Sequence, residues 1–222
     1  MTPQPKLFSW KTIDRIFLDL DGTLLDKYFD DYFWEEYVPG KYAKKYATDE
    51  DTCRKKLIAI YKTVENTLEW TNLDYWSERL GLDIPALKKE INHLVRLHPY
   101  VTDFLAYVRE KGKEIFLVTN AHPKSLEVKL AKEDITGAFD GIIHSQAVGF
   151  AKEQPEFWPE LAKIQPFDKR RTLFVDDTVR VLDTARQYGF THLIHIAKPS
   201  SKLPYVPAPG YLCIRDFQQL LF

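Results

Sequence analysis

The feature that most constrains this chain is a short apolar run that ends in two carboxylates. The run from Ile16 to Leu20 has the length and flanks of a buried parallel strand. Asp19 falls at its carboxyl end, Asp21 falls in the exit turn, and Gly22 permits a tight bend because it carries no Cβ. Open α/β sheets place their functional sites at the carboxyl ends of such strands. The stretch therefore predicts a site at a sheet edge.

The close spacing of these two acids needs a physical reason. Unit charges about 4 Å apart repel by roughly 4 kcal/mol at an effective dielectric constant near 20. A bridging cation removes that repulsion, and so does a proton held on one acid for chemistry. Both occur in phosphoryl-transfer sites that use an aspartate nucleophile. An Asp-Gly turn after a strand explains the stretch equally well when it is taken alone.

Beyond residue 98 the sequence alternates between strand and helix patterns, which is typical of a doubly wound parallel sheet. The predicted strands span residues 114–119, 141–144, 172–175 and 191–196, with a short one near Leu212. The predicted helices begin at Val101, Pro123, Pro155, Val181 and Asp216. The sequence therefore predicts an α/β core.

Residues 26–97 show helical patterns with aromatic faces and no strand pattern. The apolar faces run from Tyr28 to Tyr37, from Leu57 to Leu68, and from Trp76 to Leu80, where Gly81 ends the helix. Pro85 suits the first turn of a further helix that reaches about Val95. We therefore predict a core domain of residues 1–25 and 98–222 and an all-helical domain of residues 26–97.

Composition and charge exclude several classes of protein. The formal net charge of the 222 residues is −1, so there is no basic footprint of a nucleic-acid or membrane-surface binder. Cys53 and Cys213, in unrelated contexts, exclude a disulfide scaffold and a cysteine zinc site and favour a reducing compartment. Residues 1–10 lack the apolar segment of a signal peptide. We expect a cytoplasmic protein with neither nucleic acid nor membrane as a partner, of unknown oligomeric state.

Two further groups follow predicted strands and should lie at the same edge as Asp19. The hydroxyl of Thr119 and the amide of Asn120 precede a helix N-terminus, an arrangement that suits phosphate oxygens. Lys152 is a compact cation that can offset the charge of a nucleophile and a phosphate. Taken singly, the first pair is better explained as helix caps, and the lysine as a surface residue.

The pair Asp176 and Asp177 is harder to explain without a cation. Both acids come directly after an apolar strand, and a helix cap would account for one of them alone. Oxygen ligands of this kind suit Mg²⁺, which proteins hold with few carboxylates plus phosphate and water. The sequence therefore predicts a magnesium site.

Together, in their order and spacing, these groups resemble the haloacid dehalogenase (HAD-like) phosphohydrolase superfamily. The block from Asp19 to Leu24 is similar to motif I of that family, Thr119 to motif II, Lys152 to motif III, and Asp176-Asp177 to motif IV. The helical residues 26–97 are similar to the family's C1 cap. The resemblance thus covers the whole chain and implies a Rossmann-like core with an inserted cap.

Longer stretches resemble the bacterial GMP/IMP 5′-nucleotidases of this superfamily. They are residues 30–34, 73–78, 119–123 and 171–177. This resemblance implies a small-molecule partner, a purine nucleoside monophosphate. A sugar phosphate or phosphoglycolate is the alternative substrate within the same class.

The resemblance also implies the catalytic roles. Asp19 attacks phosphorus and forms an aspartyl-phosphate, while Asp21 protonates the leaving oxygen and later activates water. Thr119 and backbone N–H groups, that of Asn120 among them, bind phosphoryl oxygens, and Lys152 balances charge at the nucleophile. Thr23 is expected to hold Asp21 through its hydroxyl.

The metal ligands follow from the same resemblance. Mg²⁺ is expected to bind Asp19, the backbone carbonyl of Asp21 and a motif IV acid. Asp177 is favoured as the inner ligand, with Asp176 either inner or one water removed.

The cap is expected to close over the site, exclude water and select the substrate. Its aromatic residues either stack on a purine or form the core of a helical bundle, and the candidates are Phe33, Trp34, Tyr75 and Trp76. Polar contacts to base or ribose are expected from Asn72, Asp74 and Lys124.

Two other functions fit part of this pattern of residues. A dehalogenase shares the nucleophile and needs no metal, but a halide leaves without a proton, so Asp21 argues against it. A non-catalytic protein that binds a phosphorylated ligand would be expected to lack the nucleophile or the metal acids, and both are present here.

Overall fold

A parallel six-stranded sheet with strand order β3-β2-β1-β4-β5-β6 organises the structure, a computed structural model that describes residues 9–221. The strands are β1 (Arg15–Leu18), β2 (Glu114–Thr119), β3 (Gly141–His144), β4 (Thr172–Asp176), β5 (His192–Ile196) and β6 (Leu212–Ile214). The predicted α/β fold with a doubly wound parallel sheet is confirmed. The first eight residues and Phe222 of the predicted core domain lie outside the described part.

Strand β1 lies at the centre of the sheet and is paired in register with β2 and β4. Leu18, its last residue, is paired with Leu117 of β2 on one side and with Val175 of β4 on the other. The chain continues from β1 towards β3 and then returns to β4, so the strand order reverses between β1 and β4. In open α/β sheets, this point of reversal is where ligands bind.

Both faces of the central strands β1, β2 and β4 are buried, which explains why these strands are almost continuous apolar runs. Ile16 and Leu18 of β1 belong to one apolar cluster, and Phe17 belongs to the cluster on the other face, together with Phe116 and Phe174. Alternate side chains of a strand point to opposite faces, and here each face meets a helical layer.

Residues 26–97, which we call the helical insert, are fully described and contain no strand, as predicted. The helices are α1 (Tyr28–Tyr32), α2 (Val38–Tyr46), α3 (Glu50–Lys62), α4 (Leu68–Thr71), α5 (Leu73–Leu80) and α6 (Ile84–Glu90), with a π-helical segment Phe33–Tyr37 and a 3-10 turn Asn92–Leu94. The apolar core of the insert is continuous with the cluster on one sheet face. The division of the chain into core and cap domains stays a prediction.

The remaining helices cover the two faces of the sheet. They are α7 (Val101–Glu110), α8 (Pro123–Lys132), α9 (Ser145–Val148), α10 (Phe157–Ile164) and α11 (Val179–Tyr188), with 3-10 turns at Trp10–Thr12, Thr136–Ala138 and Phe217–Leu220. Apolar residues of α7 and α8 join the cluster that contains Ile16, and those of α10 and α11 join the cluster that contains Phe17. None of the helices within residues 9–221 has the length and apolar character needed to cross a membrane.

Helices α10 and α11 begin within two residues of their predicted starts, and three other predicted helices differ more from the structure. The helix expected to reach Val95 ends at Glu90, because Ile91 leaves the helical conformation (φ −112°, ψ 17°). The apolar face from Leu57 to Leu68 is divided between α3 and α4 by a turn in which Asn66 has φ 65°. The helix expected from Asp216 is a short 3-10 turn, and Asp216 caps it.

Candidate active site

The carboxyl ends of β1, β2 and β4 border a cavity of about 480 Å³. Eight of the residues predicted from the sequence line it: Asp19, Asp21, Trp34, Thr119, Asn120, Lys152, Asp176 and Asp177. Further lining comes from the helical insert, so the cavity lies between the sheet edge and the insert. Its volume falls in the range of small-molecule sites, roughly 300–1,000 Å³.

Lys152 holds two acids of neighbouring strands together. Its Nζ lies 2.5 Å from Oδ1 of Asp19 and 2.7 Å from Oδ2 of Asp176, and its side chain is 2% exposed. Burial by itself would lower the pKa of this lysine, but Asp176 and Asp19 outweigh burial and raise the pKa. Lys152 therefore stays charged between the two carboxylates.

The backbone of Lys152 is fixed from two sides. Its N–H donates to Oδ1 of Asn120 at 2.9 Å, and its carbonyl accepts from the hydroxyl of Thr184 at 2.8 Å. The amide nitrogen of Asn120 donates in turn to Glu153 at 2.8 Å. The side chain of Asn120 therefore positions the loop that carries the lysine, a role that the sequence did not predict.

Lys152 does not neutralise the acids completely. Burial raises the pKa of Asp19 despite the opposing effect of Lys152, and the charge of Asp177 adds to the rise. Burial likewise raises the pKa of Asp176 well above its usual range. Lys152 therefore offsets only part of the cost of burying these two carboxylates.

Three carboxylates form an oxygen donor set at this edge. Ligand atoms of Asp19, Asp176 and Asp177 all lie within 4.8 Å of one another. Hard oxygen donors in this number suit Mg²⁺, so the residues present fit the cation that the sequence predicted. Asp176 is engaged by Lys152, whereas Asp177 lies 3.4 Å from the partly exposed Nζ of Lys27.

Asp21 has one engaged carboxylate oxygen and one free oxygen. Oδ2 lies 2.6 Å from Nζ of Lys129, while Oδ1 is buried without a hydrogen-bond partner among residues 9–221. Burial raises the pKa of Asp21 to about 7, with Asp30 and Asp19 adding to the rise and Lys129 opposing it. A carboxyl group that titrates near neutral pH is suited to acid and base catalysis.

A buried ionic network that the sequence patterns did not predict lies beside Asp21. Nζ of Lys129 also lies 2.6 Å from Oδ2 of Asp30, and the other oxygen of Asp30 lies 2.5 Å from Nζ of Lys88. All three residues line the cavity. The signal was helical spacing, since Lys88 follows the apolar Ile84 by four residues and precedes Ile91 by three.

The predicted contact between Thr23 and Asp21 is wrong. The hydroxyl of Thr23 is buried with no hydrogen-bond partner in the part of the chain that the structure describes. Lys129 engages Asp21 in its place. Thr119 does line the cavity, and its Oγ1 accepts from the backbone N–H of Ala121 at 3.0 Å in the turn before α8, whose N-cap is His122.

The cavity is not lined by Trp76 or Lys124, two of the residues predicted to contact the substrate. Trp76 has the alternative role expected for it, in the apolar core of the insert. Trp76 is completely buried inside the insert, where its indole N–H donates to the carbonyl of Trp70 at 2.8 Å. Lys124 lies on the surface, where its Nζ pairs with Asp74 at 2.5 Å. The aromatic side chains of the insert that do line the cavity are Trp34, Tyr61 and Trp70.

The sequence is similar to one protein family and to characterised members of it. A model of the haloacid dehalogenase-like hydrolase family matches residues 13–189. The chain is 34% identical over 213 residues to the GMP/IMP nucleotidase YrfG of Escherichia coli (strain K12), which covers 96% of each chain. It is 24% identical over 187 residues to the (S)-2-haloacid dehalogenase of Pseudomonas sp. (strain YL), which covers 80% of each chain.

Solved structures agree on the fold. The HAD phosphatase from Thermococcus onnurineus matches with a TM-score of 0.77 and 20% sequence identity, over 94% of this chain and 96% of that one. At this identity the match shows the fold alone.

Proposed function

Since the chain belongs to the haloacid dehalogenase-like hydrolase family, we propose that it is an Mg²⁺-dependent phosphomonoester hydrolase that works through an aspartyl-phosphate on Asp19. One observation carries the proposal. The cavity brings together a buried carboxylate held by a lysine, a second carboxyl group with a free oxygen, and an oxygen donor set for a divalent cation. These are the parts that phosphoryl transfer to an aspartate requires.

The first half of the reaction transfers the phosphoryl group to the protein. A carboxylate oxygen of Asp19 forms a bond to phosphorus as the bond between phosphorus and the ester oxygen breaks. The ester oxygen keeps the electron pair of the broken bond and takes the proton of Asp21. The pKa of Asp21, raised to about 7, leaves a large share of this carboxyl group protonated near neutral pH.

The second half releases phosphate. Asp21, now ionised, takes a proton from a water molecule while the oxygen of that water attacks phosphorus and displaces the carboxylate of Asp19. Lys152 keeps its positive charge throughout, so it stabilises Asp19 both as nucleophile and as leaving group. Thr119 and the backbone N–H of Asn120 bind the phosphoryl oxygens at the end of β2.

Asp19, Asp177 and the backbone carbonyl of Asp21 hold the cation in this proposal. Asp176 lies beside them and keeps its ion pair with Lys152. When bound, Mg²⁺ supplies positive charge that stabilises the transferring phosphoryl group and the clustered acids.

Purine nucleoside monophosphates are the substrates we propose, with GMP and IMP first. Three aromatic residues of the helical insert, Trp34, Tyr61 and Trp70, line the same cavity as Asp19. Aromatic faces stack on nucleobases, and the cavity volume of about 480 Å³ suits a ligand of nucleotide size. The name of the relative with 34% identity, a GMP/IMP nucleotidase, supports the same choice. In this proposal the helical insert acts as a cap that covers the substrate.

Phosphate release from a panel of phosphomonoesters tests the proposal. The panel contains GMP, IMP, AMP, UMP, several sugar phosphates and phosphoglycolate, each with Mg²⁺ and with EDTA. We expect Mg²⁺-dependent release that favours GMP and IMP. Asp19→Asn should abolish release from every substrate, since an amide is not a nucleophile here. Asp103→Asn, which changes an exposed carboxylate of α7, is the matched control and should match wild type.

Each other outcome overturns a defined part of the proposal. Preference for a sugar phosphate or for phosphoglycolate would remove the purine substrate and keep the reaction. Unchanged activity of Asp19→Asn would remove the nucleophile. Halide release from 2-chloropropionate without phosphate release from any ester would replace the phosphatase with a dehalogenase. Binding of phosphate without turnover of any substrate would make the protein a binding protein.

A further inference from the structure

We infer that Lys129 and Asp30 are positioning residues that hold Asp21 and connect it to the helical insert. The inference rests on the proposed function, in which Asp21 protonates the leaving oxygen. Its basis is the geometry of one buried ionic chain that runs from Asp21 through Lys129 and Asp30 to Lys88.

Lys129 is the branching point of this chain. Its Nζ lies 2.6 Å from Oδ2 of Asp21 and 2.6 Å from Oδ2 of Asp30, and its side chain is 2% exposed. Lys129 belongs to α8, which packs on the sheet, whereas Asp30 belongs to α1 of the insert. A single ammonium group therefore joins the acid to a carboxylate of the helical insert.

The two oxygens of Asp21 have different surroundings. Oδ2 forms a close ion pair with Nζ of Lys129 at 2.6 Å, while the same ammonium group donates a charge-assisted hydrogen bond to Oδ2 of Asp30. Oδ1 is buried without a partner among the described residues. The Asp21 side chain as a whole is 24% exposed, so its accessible part is not Oδ1, and the contact with Lys129 orients the carboxyl group in the cavity that Asp21 lines.

Asp30 in turn fixes Lys129. Oδ1 of Asp30 accepts from Nζ of Lys88 at 2.5 Å, and that ammonium group lies 4.5 Å from the ring centre of Phe33 and 4.7 Å from that of Phe29. Lysine is rarely buried completely, and a buried charge needs several such partners to be tolerated. The burial of both Lys88 and Lys129 beside Asp30 therefore indicates that the site requires these charged groups.

A second ion pair between α8 and the insert serves as an internal comparison. Nζ of Lys124 lies 2.5 Å from Oδ1 of Asp74, and both side chains are about half exposed (48% and 58%). This pair joins the same two parts of the molecule and makes no contact with Asp21. A variant without the Lys124–Asp74 pair therefore shows the effect of weakening the attachment of the insert while the contact between Lys129 and Asp21 is kept.

The dependence of the rate on the leaving group tests the inference. Phenyl phosphate and 4-nitrophenyl phosphate have similar shapes, but phenoxide needs a proton to leave much more than 4-nitrophenoxide does. General acid catalysis contributes about 10²- to 10⁴-fold when a proton is needed. We therefore expect Lys129→Met to reduce kcat/KM for phenyl phosphate at least about tenfold more than for 4-nitrophenyl phosphate.

Further variants complete the experiment. Asp21→Asn gives the ratio of kcat/KM for the two esters that is expected when the acid is absent. Asp30→Asn should change this ratio in the same direction by a smaller factor. Lys124→Met should keep the wild-type ratio of the two esters. Thermal unfolding of each variant reports the fold, and Asp30→Asn, which keeps its shape, carries the test if Lys129→Met does not fold.

The outcomes separate the inference from the proposed function. Equal losses on both esters in Lys129→Met and Asp30→Asn, or no loss on either, would overturn the positioning role. Absence of phosphate release by the wild-type enzyme, or no added discrimination in Asp21→Asn, would instead overturn the assignment of Asp21 as the acid.

Discussion

At the scale of single residues, Gly22 has the most constrained backbone at the site. Its φ is +86°, and an added Cβ would lie 2.5 Å from Oδ2 of Asp177 and 3.1 Å from Cβ of Pro199. Contacts below 3.0 Å force something to shift, and the nearest atom belongs to a proposed metal ligand. The glycine therefore permits the turn and also leaves space for Asp177.

We expect Gly22→Ala to raise the Mg²⁺ concentration needed for half-maximal activity and to reduce kcat at least tenfold. The displaced Asp177 carboxylate would no longer complete the donor set. The positive φ adds a loss of stability of about 1 kcal/mol or more. Activity measured across a Mg²⁺ titration, together with urea unfolding, checks both effects.

Gly112→Ala is the matched control for this substitution. Gly112 also has a positive φ, +65°, but an added Cβ would meet no described atom within 4 Å. It should lose comparable stability and keep the wild-type Mg²⁺ dependence. If the two variants showed the same Mg²⁺ dependence, the space that Gly22 leaves for Asp177 would not matter for Mg²⁺ binding.

The residues that the sequence could predict are those whose role follows from their place after a strand. Asp19, Thr119 and Asp176 each stand at the end of a recognisable apolar run, and all three line the cavity. Lys129 could not be found this way, because its partners lie 108 and 99 positions earlier in the chain, at Asp21 and Asp30. Contacts between residues so far apart in the sequence depend on how the helices pack, and local sequence patterns do not predict that packing.

At the scale of elements, three segments of the insert converge on the cavity through aromatic rings. Trp34 comes from the π-helical segment, Tyr61 from α3 and Trp70 from α4. The ring of Tyr61 lies edge-on to those of Trp34 and Trp70, with centroid distances of 5.5 Å and 5.7 Å. The hydroxyl of Tyr61 is buried without a hydrogen-bond partner in the described range.

We expect Tyr61→Phe to make the protein more stable and its nucleotide binding weaker. A buried polar group without a partner costs about 1–3 kcal/mol, and phenylalanine removes that group while keeping the ring. If the purine supplies the missing partner, KM for GMP should rise about fivefold or more with kcat little changed, since the lost contact belongs to binding. Thermal unfolding and steady-state kinetics measure the two effects.

Trp76→Phe provides the contrast within the same aromatic cluster. Trp76 packs 5.0 Å from the ring centre of Tyr61 but is completely buried outside the cavity. This variant should lose stability and keep the wild-type KM. A KM for GMP that is unchanged in Tyr61→Phe would place the purine elsewhere.

Elements of the sheet were predicted more accurately than those of the insert, for a physical reason. Strands β2 and β3 have the bounds that the sequence predicted. Burial on both faces makes β2 an almost continuous apolar run, whereas β3 lies at the edge of the sheet and Ile142 is 38% exposed. In the insert, the apolar spacing from Leu57 to Leu68 continued across a turn, since both sides of the turn pack into one core. Periodicity shows which residues are buried, but it does not show where a helix ends.

At the scale of the whole molecule, the acids at the sheet edge oppose folding until a cation offsets them. Asp19, Asp176 and Asp177 come from two adjacent strands at the centre of the sheet, so the fold itself forces them together. In the unfolded chain they are far apart or hydrated and repel little. A cation that binds the folded donor set should therefore stabilise the whole protein.

We expect Mg²⁺ to raise the midpoint of thermal unfolding and EDTA to reverse the rise. A ligand at a hundred times its Kd stabilises the folded state by about 2.7 kcal/mol, and each kcal/mol shifts the midpoint by roughly 2–4 °C in a protein of this size. Asp177→Asn should unfold at the same or a higher temperature than wild type without Mg²⁺, because one repelling charge is gone, and it should lose most of the Mg²⁺ shift. Asp103→Asn should keep the full shift. A Mg²⁺ shift of equal size in Asp177→Asn would show that the ion binds elsewhere.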